Sequence, residues 1–284
     1  MDRNEFLEEV RKSSYYRKDF EQIFEEFKSY QDLILNALRE FHKVCVTNSI
    51  PYQLAYGSLL GAVRDNGQIP WDYDVDVFVP YSKKEELIEA LKNDLNDEFY
   101  FYCPEVDENC RHYMMRIAPK GYSTELFHLD VFYLIGMPEE SEERKRFSKE
   151  VQQLAFIRYY KLISLIKSAN SFKGAVKIGL FKLRYLFRDV ERDYKKFEKL
   201  CSMYGLEESS YATTADIFAT WYEIPTKNVL SIEKMQTLEG EFCVPTSYKH
   251  LLSLLYGDYL KVPALENRIK ELLKHHSLQS KNIY

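Results

Sequence analysis

At about 150 residues per domain, a chain of 284 residues makes one large domain or two small ones. With 45% apolar and 29% charged residues, it is neither a disordered tail nor a fibrous protein, and 23 Tyr and 18 Phe supply a large core with amphipathic edges. A formal charge of −5 argues against a general nucleic-acid coater, so no nucleic-acid partner is expected. The charge is unevenly spread. Between Arg144 and Lys199 there are 16 Lys and Arg against five Asp and Glu, and from Arg158 to Arg188 there is no acid at all. A surface of that kind faces something anionic. The five cysteines are odd in number and show no metal-type spacing, which fits a reducing compartment. The start, Met1-Asp-Arg-Asn-Glu-Phe6, lacks the apolar stretch of a signal peptide, and no run of 18 apolar residues appears. The expectation is a cytoplasmic protein, with peripheral contact to the inner membrane face through its basic segment.

In chain order, Phe20, Ile23, Phe24, Phe27, Tyr30, Ile34, Leu38, Phe41 and Cys45 recur at three- and four-residue steps, predicting a long amphipathic helix over Tyr16–Asn48. Tyr52–Tyr56 reads as a short strand, Gly57-Ser58 as a turn, and Leu59–Arg64 as a short helix closed by Asn66-Gly67. Asp74–Val79 alternates polar and apolar residues and predicts a strand. Ser82 with Glu85 predicts a capping box opening a helix to about Leu95. Further strands are expected near Phe99–Cys103, Tyr113–Ala118 and Leu126–Ile135. After Pro138, helical periodicity runs to about Leu200, interrupted near Ser168–Gly174. A strand at Glu241–Val244 and helices at Tyr248–Tyr256 and Leu265–His275 complete the chain. The fold class expected is one α+β domain. N-terminal helices occupy 1–50, a mixed-sheet core 51–137, a basic helical insertion 138–215, and a C-terminal return to the sheet 216–284.

The chemistry concentrates between Gly57 and Asp130. Alternate residues of a strand share a face, so Asp74 and Asp76 project together, about 7 Å apart at their Cα atoms, while Val75, Val77 and Val79 form the opposite, buried face. Two carboxylates so placed repel unless a cation lies between them, and hard oxygen ligands favour Mg²⁺ or Mn²⁺. Asp130 lies in an otherwise apolar predicted strand, where an unpaired charge is costly, and would complete a metal triad. His128 shares its face as a packing or substrate-side residue. Gly57-Ser58 before a helix can bind phosphate oxygens or simply cap that helix. Arg64 is either a phosphate clamp or half of a surface salt bridge. Trp71 either stacks on a base or anchors the core. Asp72 is either a substrate-side ligand or a solvated turn carboxylate.

Gly57-Ser58, Asp74-Val75-Asp76 and Asp130 together resemble the Gly-Ser, paired-Asp and third-Asp pattern of the nucleotidyltransferase superfamily. The wording of four segments is similar to the LicD-type phosphocholine transferase family: Gly57–Arg64, Ile69–Asp76, His128–Phe132, and Tyr256-Gly-Asp-Tyr259 with Pro263. Tyr73 stands where many members have Asp, as in the related fukutin-related ribitol-phosphate transferases. The resemblance implies a nucleotidyltransferase-like core and a metal-dependent transferase with Asp74, Asp76 and Asp130 at its centre. It would move phosphocholine or a similar group from a cytidine-nucleotide-linked donor to a sugar hydroxyl of a cell-surface glycan precursor, built on a lipid carrier in many members, with release of CMP. Lipopolysaccharide, teichoic acid and capsule are the glycans of that kind. Two other readings stay open from the residues: a nucleotidyltransferase that releases pyrophosphate from an NTP, and a non-catalytic glycan- or nucleotide-binding module.

Overall fold

The computed structural model describes residues 1–123, 125–164 and 172–280. Helix α1 (Arg3–Arg11) opens on a capping box that periodicity did not reveal: the Asp2 carboxylate accepts from the N–H groups of Asn4 and Glu5, and Glu5 accepts from Asp2 N–H. Its fully buried Phe6 and Val10 face the core, with Phe6 against Phe24 and Trp71. Helix α2 (Phe20–Thr47) buries the predicted stripe Phe20, Phe24, Phe27, Ile34, Leu38 and Phe41.

A mixed sheet follows, built from β1 (Gln53–Leu54), β2 (Val75–Pro80), β3 (Phe99–Tyr102), β4 (Met115–Pro119), β5 (Leu129–Gly136), β6 (Tyr211–Thr214) and β7 (Ile224–Pro225). The order β1-β2-β5-β4-β3 puts β5 at the centre, and all eight of its residues are buried. β2 runs parallel to it, whereas β4 takes the first half of its other edge and β6 the second half, both antiparallel. The α+β expectation therefore holds. Helix α3 (Tyr56–Arg64) lies between β1 and β2, and α4 (Lys84–Asp94) follows β2.

Among the described residues the predicted basic stretch forms the helices α5 (Ser141–Leu162), α6 (Phe172–Arg184) and α7 (Val190–Cys201). Most of the expected break at Ser168–Gly174 lies outside the described residues. Beyond β7, β8 (Ile232–Thr237) and β9 (Gly240–Pro245) form a separate hairpin, followed by α8 (Tyr248–Tyr256) and α9 (Leu265–Ser280).

Three local expectations are corrected. Gly57 and Ser58 lie inside the first turn of α3 rather than in a turn before it. Ser82 and Glu85 form no capping box: a 3₁₀ turn at Tyr81–Lys83 leads into α4, and no side chain caps that helix. Glu241–Val244 belongs to the β8–β9 hairpin, and the segment that rejoins the main sheet is β6, because its register with Leu134–Gly136 completes the open half-edge of β5. The hairpin has a task of its own. Glu239 at its tip accepts from Gln68 N–H at 3.1 Å, and a Cβ at Gly67 would stand 2.4 Å from that carboxylate. Glycine there lets the hairpin clamp the loop leading into Trp71–Asp76. Among the described residues no helix is long and apolar enough to cross a membrane.

Candidate active site

Register brings the charged residues together. The β2–β5 pairing sets Asp76 beside Asp130, and the β5–β4 pairing sets Arg116 on the other side of Asp130. Asp76, Asp130 and Arg116 thus form one row across three strands, while Val75, Val77 and Val79 are buried on the opposite face. Asp74, two residues upstream of Asp76, lies next to His128.

Asp130 is held from both sides: its Oδ1 accepts from Arg116 Nε at 2.8 Å, and its Oδ2 lies 3.5 Å from His128 Nε2. Burial pushes this carboxyl up, but the guanidinium and the imidazole overcome it and hold Asp130 well below the usual carboxylate range. Arg116 also reaches Glu125 at 3.3 Å, and Glu125 in turn pairs with Arg111. Among the described residues neither Asp74 nor Asp76 forms an ion pair of this kind, although His128 stands near the first and Arg116 near the second. Burial first, and then the neighbouring carboxylates, push Asp74 up to about 8 and Asp76 well above its ordinary range. Asp72 is raised by burial as well, and its Oδ1 accepts from Tyr73 N–H at 3.0 Å. A Cβ at Gly57 would come within 2.5 Å of Asp72 Oδ2, so glycine there makes room for that carboxylate.

Asp74, Asp76 and Asp130 line a cavity of about 490 Å³ together with Tyr73, His112, Met114, Arg116 and Tyr256. A continuous aromatic wall closes it beyond the acids. Tyr222 and Phe132 flank Tyr56 at ring-centroid distances of 6.1 and 5.2 Å, Phe218 lies 6.3 Å from Phe132, and Trp221 packs on Phe218 at 4.6 Å. Trp221 is nevertheless 62% exposed at the rim. Tyr73 forms part of the floor, stacked on His275 with centroids 3.8 Å apart.

The remaining predicted residues are employed otherwise. Ser58 Oγ accepts from Asp76 N–H at 2.8 Å, anchoring the strand that carries the acid. Arg64 lies along Asp65, with Nε and Nη2 at 3.0 and 2.7 Å from Oδ2, and does not line the cavity. Trp71 is a core anchor between Phe6 and the guanidinium groups of Arg64 and Arg268. Tyr256, from the Tyr256-Gly-Asp-Tyr259 segment, lines the cavity, while Gly257 after it takes φ +66° and ends α8. Arg116 and the wall of Tyr56, Phe218, Trp221 and Tyr222 were not foreseen. Arg116 was within reach: a lone Arg in the apolar run Tyr113-Met-Met-Arg-Ile-Ala118 carries the same burial cost that singled out Asp130. The wall had no such signal, because β6 and the loop after it join the sheet from far along the chain.

Crowded, desolvated carboxylates with raised proton affinity are a donor set suited to a hard divalent cation, so Asp74 and Asp76 fit Mg²⁺ or Mn²⁺. Asp130 is turned to Arg116: the oxygens of Asp74, Asp76 and Asp130 do not all come within 4.8 Å of one another. Glu85, Glu105 and Glu198 do converge to that spacing, but Lys84 Nζ, 3.2, 2.8 and 3.0 Å from them, already occupies the centre of the cluster.

Comparison with known proteins agrees with the motifs. Residues 49–160 match the family model described as LicD/FKTN/FKRP, nucleotidyltransferase domain. The chain is also 26% identical over 270 residues to the lipopolysaccharide cholinephosphotransferase LicD of Haemophilus influenzae, covering 89% of this chain and 96% of that protein. The resemblance to the LicD-type family is borne out, and the matched segment holds Gly57, Ser58, Asp74, Asp76, Arg116 and Asp130.

Proposed function

Taking the chain as a LicD-type phosphotransferase, we propose that it transfers phosphocholine from CDP-choline to a sugar hydroxyl of a lipopolysaccharide-type glycan and releases CMP. The observation that carries this reading is the two-part cavity: buried acids in register at one end and an aromatic wall at the other. The acids suit the metal that a pyrophosphate donor needs, and the wall suits a quaternary ammonium, which is attracted to the electron-rich faces of aromatic rings.

In this mechanism the acceptor oxygen attacks the choline-bearing phosphorus, the bond from that phosphorus to the CMP oxygen breaks, and the hydroxyl proton is released. Asp74 and Asp76 would hold Mg²⁺ or Mn²⁺, while Asp130, turned to Arg116 and His128, stays beside that pair and does not complete a triad. The cation, when bound, supplies charge neutralisation on the donor phosphates. Ser58 keeps the Asp76 backbone in place, and Gly57 keeps Asp72 seated beside Asp74. The start of α3 at Tyr56, which has no side-chain cap, offers backbone N–H groups to a phosphate next to the cavity. Asp130 is a poor proton acceptor because Arg116 and His128 stabilise its charge, so its part is electrostatic and positional. Phe218, Trp221 and Tyr222 orient the choline end and exclude water from it.

Incubation of the protein with CDP-choline, Mg²⁺ and a lipopolysaccharide acceptor tests this, with CMP as the readout. CMP release that needs both divalent metal and acceptor is the expected result. Pyrophosphate release from CTP without CMP from CDP-choline would make the protein a nucleotidyltransferase. No turnover of either donor, with binding of both, would make it a binding module.

A further inference from the structure

The helix α6 and the turn after it break the usual rule that apolar side chains are covered. Val176, Leu180 and Leu183 share one face, and Leu186 and Phe187 follow just beyond its end. Leu180 is 62%, Leu183 68% and Phe187 97% exposed. The other face of α6 is used: Ile178 is buried, Phe181 stacks on Tyr160 of α5 at 4.2 Å, and Lys182 Nζ donates to Lys161 O at 2.8 Å. The exposed stripe is therefore not a frayed core but a second face without a partner among the described residues. Lys173, Lys177 and Arg184 border it, and none of the three has an acidic partner among the described residues. From Arg158 to Arg188 the sequence offers no acid to answer them.

We infer that α6, with the turn to Phe187, is a docking element for an anionic lipid bilayer, on which it holds the mouth of the cavity. The occupant follows from the chemistry. An apolar strip edged by long cationic side chains matches the boundary between acyl chains and anionic headgroups, where lysine and arginine reach outward while their neighbours enter. A second copy of the chain docking through the same face would set these cations against one another, since a two-fold contact brings identical patches together. Position supports the inference as well. Tyr159 lines the cavity, and its neighbour Tyr160 is the residue stacked on Phe181. The docking face thus lies one helical contact from the site, where a lipid-linked acceptor would present its sugar. The inference stands on exposure and charge alone and does not depend on the identity of the donor.

Co-sedimentation of the full chain with vesicles decides it. Phosphatidylcholine vesicles are compared with phosphatidylcholine–phosphatidylglycerol vesicles at low salt, and again at about 0.5 M NaCl. Binding is expected only to the anionic vesicles, falling at least about tenfold at high salt. It should fall by a similar factor both in K173E/K177E/R184E and in L180S/L183S/F187S, with thermal midpoints and far-ultraviolet spectra unchanged. Absence of binding to anionic vesicles at low salt overturns the inference, and so does binding that either triple variant leaves intact. A wild-type dimer in sedimentation velocity that L180S/L183S/F187S converts to monomer would also overturn it, in favour of self-association. Because no readout uses turnover, failure here is distinct from failure of the proposed reaction.

Discussion

The strand row at the cavity and the helix α6 are opposite violations of the same rule. On β2, β4 and β5, charges are withdrawn from water: Arg116 and Asp130 are buried, and Asp76 on β2 and Asp74 just ahead of it are half-buried beside them. On α6, apolar side chains are exposed beside cations that have no acidic partners among the described residues. The strands answer part of the violation internally, since Arg116 neutralises Asp130, and leave Asp74 and Asp76 unanswered. The helix answers none of it on its outer face. An arrangement that is unfavourable in the isolated chain is what the proposed cation would complete in one case and the inferred bilayer in the other. The comparison also teaches that burial and pairing must be read together, because within one row of the sheet Asp130 is satisfied and Asp76 is not.

The largest expected effect comes from the unanswered acids. Asp76→Asn and Asp74→Asn should each lower CMP release about 100-fold or more, because a metal ligand and its charge are lost. The metal-free protein should melt no lower, and by relief of repulsion somewhat higher. A variant that melts far below wild type would show that these carboxylates stabilise the fold instead. The satisfied pair should behave in the opposite way. Arg116→Met leaves Asp130 buried without its guanidinium, while Glu125 keeps Arg111, and should cost about 3 kcal/mol in denaturant unfolding. A loss under about 1 kcal/mol would show that Asp130 finds another partner.

The pH response sharpens the same contrast. Asp74 is raised to about 8 when folded and sits near 3.8 when unfolded, so the metal-free folded state binds the extra proton between those values. Its contribution to stability therefore falls as pH rises through that window. Mg²⁺ competes with that proton, so the gain in thermal midpoint on adding Mg²⁺ should be larger at about pH 8 than at about pH 6, and Asp74→Asn should remove the difference. Equal gains at both pH values would exclude Asp74 as a ligand.

Smaller effects are expected at the edges of the site. Trp221→Ala should raise KM for CDP-choline about two- to fivefold with little change in kcat, the size of an exposed cation–π contact. A donor without the quaternary ammonium should not sense the change. The smallest effect on turnover is expected for Arg64→Met. Its guanidinium serves Asp65, so CMP release should stay within about twofold of wild type while the protein loses stability. A rise in donor KM for this variant would return Arg64 to the phosphate.

Local chemistry made much of this legible. The α2 stripe, the strand carrying Asp74 and Asp76, the cost of burying Asp130 and the helix at Tyr248–Tyr256 all follow from periodicity or from burial arguments that span a few residues. Boundaries slipped where tertiary contacts overrode local signals. Ser82 is a good N-cap residue, yet the 3₁₀ turn at Tyr81–Lys83 starts the helix without it. Gly57-Ser58 reads as a phosphate turn, yet Ser58 is occupied by Asp76 N–H and Gly57 by the room that Asp72 needs. Tyr256 faces the cavity and Arg64 does not, because which residue does so depends on how distant segments pack.

By itself, the sequence determined which strands carry acids, that valines back them, and that one long segment has no acid to oppose its cations, because residue type and spacing of two or of three to four encode those facts directly. Only the tertiary structure decided that Asp76, Asp130 and Arg116 share a row, since strand register is set by pairing between segments up to 54 residues apart. It also decided that β6 brings the aromatic wall to the acids, and that the apolar side chains of α6 stay uncovered. Proximity between distant segments, and the lack of it, arises from packing the whole chain and is written in no local pattern.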